Sequence, residues 1–457
     1  MSKIWYKQTF FTLVEHGTTR IFDAITTFTL IRIFTSQQFG LFSVYQSWVG
    51  FLLVLLPTLE IVLYRNYGDL KASGKLAREL HAYKIFNYIK LFLVCIFVFS
   101  LSFIPQPENF MERLGLLAFA FALPFSQAFY GYMRETLRFE MKQKKVAMIT
   151  ALQRIFVLLA VVLAFIKFSG NAFYLSMFAI LTYIVFAFVW KWGATGVIPA
   201  ANVPVQESIH RIRTILTSIV LWIHFTGVIT QGIQTLDMLA LHTMGIPLKD
   251  IGNYSIALKA ANFFQFLPVA LVNVYGVYLG KFSGRNRSEV DERKFVFRYS
   301  FYFILLSIFL FMIGIAIAEP LLSFLGKGKL EGSTLTQTTQ YFYWMLAGTL
   351  IQCASYPLSA YLGARATPKK LFLNIFLPWL FISAILYFSA ASSGLMLTAK
   401  MNVLVYLVLV VLFLYYILKK TGGFAAGALT GSASDKSDNK SNTIPRGFAR
   451  CKSNTIQ

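Results

Sequence analysis

Acidic residues are scarce in this chain. Nineteen Asp and Glu stand against 42 Lys and Arg, leaving a net charge of +23, and charged residues of both signs make up only 13% of a sequence that is 57% hydrophobic. Cysteine is nearly missing too: Cys95 and Cys353 lie in apolar stretches and Cys451 lies near the C-terminus. None sits with His or Cys at metal-ligand spacing, so a metal centre and a disulfide framework are both excluded. Long polar stretches are absent as well. The gaps between apolar segments, such as about Gly280 to Arg298, are too short to fold as a domain, which argues against an enzyme working through a large extramembrane loop. No catalytic residue, metal site or cofactor is expected.

What is present is a series of long apolar segments. Twelve are read, near 11–34, 41–62, 85–104, 112–133, 146–168, 171–192, 214–241, 251–279, 299–318, 339–362, 371–389 and 395–418. A helix rises about 1.5 Å per residue and needs about 20 residues to cross the hydrocarbon layer, and backbone groups in lipid must be satisfied internally. The fold class is therefore an all-α integral membrane protein with twelve transmembrane helices. The cations fall mostly in every second gap: Arg65 to Lys84, Arg134 to Lys145, Lys191 to Arg213, Lys281 to Arg298, and Arg365 to Lys370, with Lys3, Lys7 and the tail on the same side. Such loops stay cytoplasmic, which places both termini there. The positive charge thus reflects orientation beside anionic headgroups rather than nucleic-acid binding. The first segment carries Arg20 and Asp23, unlike a cleavable signal, and is read as a retained helix.

The chain echoes itself. Gly40-Leu41-Phe42-Ser43, followed by Pro57, recurs six segments later as Gly252-Asn253-Tyr254-Ser255, followed by Pro268. Pro124-Phe125-Ser126 with Gly131 and Arg134 recurs as Pro357-Leu358-Ser359 with Gly363 and Arg365. Two six-helix halves, 1–205 and 206–420, are expected to be related by a pseudo-two-fold axis, with a substrate site between them. Residues 421–457 turn to Gly, Ser, Lys, Asp and Asn and are expected to form a disordered cytoplasmic tail. Intramembrane prolines at 57, 124, 268, 357 and 378 remove backbone donors and bend helices, which suits hinged movement.

Ionisable groups at bilayer depth cost roughly 2.5–3.5 kcal/mol on insertion scales and need a reason. Ser255, Lys259, Asn262 and Asn273 share one helical stripe, and no acid lies within four positions of Lys259. Lys259 can face an aqueous cavity or pair with another helix. Arg154 is similarly deep, and can either face the cavity or reach for headgroups. His16, Arg20, Asp23 and Thr27 form a stripe on the first segment, where Arg20 and Asp23 can neutralise each other across one turn or serve a ligand. Arg32 is read as snorkelling at the outer end. His224 is read near the midplane, as a titratable group or a satisfied buried one, and Asp237 near the outer boundary. Arg20, Arg154 and Lys259 against Asp23 make a mildly cationic interior that suits an anionic head group.

Arg20, Arg32 with Phe39-Gly40-Leu41-Phe42, Gly252-Asn253-Tyr254-Ser255 leading to Lys259, and the stretch from Pro357 to Gly363 together resemble Wzx-type O-antigen flippases. These belong to the multidrug/oligosaccharidyl-lipid/polysaccharide exporter superfamily, and the resemblance runs through about residues 8 to 420. It implies two bundles around a V-shaped cavity in the bacterial inner membrane. It also implies alternating-access transfer of an undecaprenyl-pyrophosphate-linked oligosaccharide, for O-antigen, lipopolysaccharide or a related surface polysaccharide. Arg20 and Lys259 would meet the pyrophosphate, assisted by Arg154 and Asn262. Antiport of a proton or sodium is implied, with Asp23, His224 and Asp237 as candidate coupling groups, and a polysaccharide polymerase complex is a candidate partner besides membrane lipids. The alternatives are a cation-coupled multidrug exporter of the same superfamily, a membrane polymerase or ligase, and a non-transporting scaffold.

Overall fold

The computed structural model describes residues 3–55, 67, 70–101, 109–168, 171–196, 204–216, 220–272, 275, 289–326 and 328–429. Pro57 and Asn273 lie outside the described residues, as do the side chains of His16 and Pro124. All regular structure among the described residues is helical. The helices are α1 (Lys3–Ile33), α2 (Ser36–Leu55), α3 (Leu76–Leu101), α4 (Phe110–Phe139), α5 (Gln143–Phe168), α6 (Ala172–Ala194) and α7 (Val205–Leu216). They continue with α8 (Val220–Thr243), α9 (Leu248–Phe263), α10 (Phe266–Val272), α11 (Glu289–Leu325), α12 (Gly332–Arg365), α13 (Pro368–Ser393) and α14 (Leu395–Leu429).

The intramembrane prolines act where they remove a hydrogen bond. Pro268 cannot donate to the carbonyl of Phe264, and the chain bends by 42° between α9 and α10 at that point. Pro378 follows a π turn over Phe372–Phe376, which widens α13 where the missing donor would have bonded. α12 runs unbroken through Pro357.

Among the described residues, six helices are long and apolar enough to cross a membrane, and seven if the bent pair α9–α10 counts as one span.

Met1–Leu414 form one compact unit and Tyr415–Gln457 a second. Within the first, α4 packs on α6, α1 on α5 and α2 on α4. α11 packs on α12, α9 on α12 and α8 on α13. α2 joins these groups by packing on both α8 and α9. The echo in the sequence has a counterpart here: Phe42 stacks on Phe119 of α4 at 5.4 Å, and Tyr254, at the repeat-equivalent position, meets Tyr341 of α12 at 6.0 Å. In the second unit α14 continues helically to Leu429, beyond Thr421 where the polar composition begins, in keeping with the alanines at 425, 426 and 428.

Candidate functional site

A cavity of about 420 Å³ lies between the two groups of helices. Its walls are Arg20, Asp23 and Thr27 of α1, Ser43, Gln46 and Ser47 of α2, Arg154 of α5, Gln231, Gln234 and Asp237 of α8, and Ser255, Lys259 and Asn262 of α9. Thr349, Tyr387, Asn402 and Tyr406 add further polar groups, and Leu30, Phe42, Phe119, Val157 and Leu258 are among its apolar ones. The volume falls within the roughly 300–1,000 Å³ of small-molecule sites, but the wall is far more polar than most.

The stripe on α9 turns inward. Ser255, Lys259 and Asn262 recur every third or fourth residue and therefore share one face of that helix. Lys259 Nζ donates to Gln46 Oε1 of α2 at 3.2 Å, and among the described residues it has no ion-pair partner. Asn262 Oδ1 accepts from Thr349 Oγ1 at 3.4 Å.

Arg154 is settled by a partner the sequence does not reveal. It is buried and pairs with Asp23 of α1, Nη1 to Oδ1 2.7 Å, rather than reaching for headgroups. Asp23 thus makes its direct ion pair with α5, while Arg20, one turn away, stays exposed on the cavity wall. Arg154 Nε is buried with no hydrogen-bond partner among the described residues. A buried guanidinium with one unmet N–H is under-satisfied, a cost that a ligand oxygen would remove.

Asp237 is 2% exposed on the cavity wall, accepting from Tyr254 Oη at 3.0 Å and from the Met238 backbone N–H at 2.8 Å. The wall therefore holds Arg20, Arg154 and Lys259 against Asp23 and Asp237, a smaller positive excess than expected. His224 is buried beside Phe225 near the start of α8 and is not part of this wall. No group of three or more His, Cys, Asp or Glu gathers among the described residues.

One end of the cavity is sealed, the end away from the cation-rich loops. Arg32 donates to the Phe324 carbonyl at 2.8 and 3.1 Å and stacks on its ring at 3.9 Å, so it caps α11 instead of snorkelling. Lys329, in turn, donates to the Arg32 carbonyl at 2.9 Å and to that of Phe34, capping α1. Gly40 and Gly252 bring α2 and α9 into backbone contact there. Toward the other end Gly50 and Gly227 face open space.

Sequence and structure comparisons agree with this geometry. The MatE family model matches residues 223–376. No curated protein matches the chain by sequence. Among solved structures, an outward-facing multidrug resistance MATE family transporter of the MOP superfamily is similar at 11% identity with a TM-score of 0.60, covering 94% of this chain and 97% of that one. A Vibrio cholerae MATE transporter VcmN mutant is similar at 12% identity and a TM-score of 0.54, covering 91% and 97%. A MOP superfamily transporter from Pyrococcus furiosus, described as having a binding pocket of reverse polarity that suggests a different function, is similar at 10% identity and a TM-score of 0.56, covering 94% and 97%. The chain therefore has the fold of MATE transporters.

Proposed function

We propose that this protein is an alternating-access transporter that moves an undecaprenyl-pyrophosphate-linked oligosaccharide across the bacterial inner membrane. The observation that carries the reading is Lys259: a cation on the wall of a polar cavity, held by a neutral amide and by no carboxylate. A charge so placed is available to an anion, and ammonium–phosphate hydrogen bonds are about twice as strong as neutral ones. Arg20 lies exposed on the same wall, and the unmet N–H of Arg154 offers a further donor. The diphosphate meets Lys259 and Arg20, with Arg154 and Asn262 assisting. Amide and hydroxyl groups from α2 and α8 suit the sugars, and the polyprenyl tail stays in lipid. Both termini and the cation-rich loops are cytoplasmic, which makes the sealed end the outer one. The halves at 1–205 and 206–420 rock about the cavity while opposite ends open in turn. A polymerase for the exported glycan is the natural partner.

A second reading, a cation-coupled drug exporter, is favoured by a specific observation. Asp237 and Asp23 place a carboxylate on the wall from each half, as a proton- or sodium-coupled pump requires. Deleting the gene separates the two. Accumulation of a lipid-linked oligosaccharide facing the cytoplasm is expected for a flippase, whereas normal surface glycan with new drug sensitivity would overturn that reading in favour of the exporter.

A further inference from the structure

Three contacts run in file along the crossing of α2 and α9. Gly40, Ser43 and Gln46 on α2 face Gly252, Ser255 and Lys259 on α9, at spacings that keep each set on one face of its helix. The outermost is a backbone contact with internal symmetry. A methyl group on Gly40 would run into the carbonyl oxygen of Leu248, and one on Gly252 into that of Ser36. Ser36 and Leu248 are related by the same 212-residue repeat that separates Ser43 from Ser255. The middle contact is a 2.6 Å hydrogen bond between the hydroxyls of Ser43 and Ser255, at 3% and 0% exposure.

The innermost contact breaks the symmetry. By the repeat, Gln46 corresponds to Leu258, yet it is the next residue, Lys259, whose ammonium reaches Gln46 Oε1 at 3.2 Å. Of the three it alone carries a charge, and both partners stand on the cavity wall where a ligand can compete. The other two are a backbone contact and a buried pair of hydroxyls, neither of which presents a charge to an anion.

We propose that Gln46 is the stand-in for the anionic cargo: it holds Lys259 while the chamber is empty, braces the α2–α9 seam shut, and yields Lys259 to the diphosphate. This rests on the anionic-cargo reading above and deepens it. Once Lys259 turns to a ligand, the seam loses the contact nearest the chamber and is left with the two closer to the outer face. Cargo charge thereby loosens the outer closure from within. The residue acts by positioning Lys259 and the two helices, so a neutral amide suits it. A carboxylate would hold the ammonium too firmly to be displaced, and an alkyl side chain would not hold it at all.

The seam can be read by disulfide formation between Ser43→Cys and Ser255→Cys in the full chain. Cys95, Cys353 and Cys451 are replaced by alanine, the protein is placed in lipid nanodiscs, and the cross-linked fraction is followed by mass spectrometry. Without ligand, Gln46→Ala and Lys259→Met are each expected to slow cross-linking by about tenfold, the equivalent of one charged hydrogen bond, and no further when combined. Gln46→Glu is expected to cross-link at least as fast as the parent. Cross-linking unchanged in all three variants would overturn the latch. With inorganic pyrophosphate as the probe, cross-linking is expected to slow in the parent and to stay constant in Gln46→Glu. If the variants differ as stated while pyrophosphate leaves the parent unchanged, the latch stands and the anionic cargo reading falls. Equal slowing of the parent and Gln46→Glu would leave the cargo reading intact and sink the role of Gln46.

Discussion

Arg154 and Lys259 are both cations on the wall of the same cavity, the first buried on α5 and the second half-buried on α9. Each has a wall carboxylate in its own half of the chain, Asp23 for the first and Asp237 for the second. Arg154 and Asp23 are in direct contact at 2.7 Å. Lys259 and Asp237 are not: Asp237 is taken up by Tyr254 and the Met238 N–H, and Lys259 crosses to the opposite half to meet Gln46. The difference separates structure from function. A compensated ion pair holds helices together, and a cation held by a neutral amide is free to change partners.

The comparison breaks most visibly on stability. Asp23→Asn removes the counter-charge of buried Arg154 and is expected to cost up to about 3 kcal/mol, the low end of the penalty for orphaning a buried charge, because Asp23 itself is partly open to the wet cavity. The thermal unfolding midpoint in detergent should fall sharply, and pairing the change with Arg154→Met should recover most of the loss. Lys259→Met breaks no direct ion pair, since Asp237 keeps its bonds from Tyr254 and the Met238 N–H, and it is expected to lower the midpoint far less than Asp23→Asn while abolishing transport. A matching fall in both single variants would erase the distinction.

Next in size, Gly40→Ala and Gly252→Ala force a methyl group into a carbonyl across the seam. Each is expected to cost about 1–3 kcal/mol through overpacking. The mark of a moving seam rather than a static core is that outer-face accessibility rises while helical content by circular dichroism holds steady.

The smallest effect lies outside the cavity, at the cation-rich end. There Glu140 accepts from Lys71 at 2.6 Å and from Tyr67, and those hydrogen bonds hold its carboxyl below its ordinary value. A depressed carboxylate adds stability above its unfolded pKa, and the gain fades as pH falls through the folded value. Lys71→Ala is therefore expected to lose roughly 0.2–1 kcal/mol at neutral pH and nothing in strong acid, since the pair is partly exposed. Unfolding midpoints measured across that range check it.

Much of the site was legible because period is a local property. Ser255, Lys259 and Asn262 lie three to four residues apart, so one side of α9 had to be polar, and that side does line the cavity. The echo of Gly40 to Ser43 in Gly252 to Ser255 marked two stretches that meet face to face. Partners distant in sequence were not legible. Nothing near Arg154 announces Asp23, which lies four helices earlier, so a neighbour-based reading could offer Asp23 only Arg20 or a ligand. For Asp237 and His224 only depth was legible, because distance from a helix end says nothing about which way a side chain points or what covers it.

Transfer of a fluorescent polyprenyl-pyrophosphate oligosaccharide in proteoliposomes addresses the role of Lys259 directly, with the parent, Lys259→Arg and Lys259→Ala compared at equal reconstitution. The expected result is loss of at least tenfold in the alanine variant and partial activity in the arginine variant. Transfer at the parent rate by Lys259→Ala would show that this lysine meets no cargo, and the cavity would then belong to a substrate of another charge.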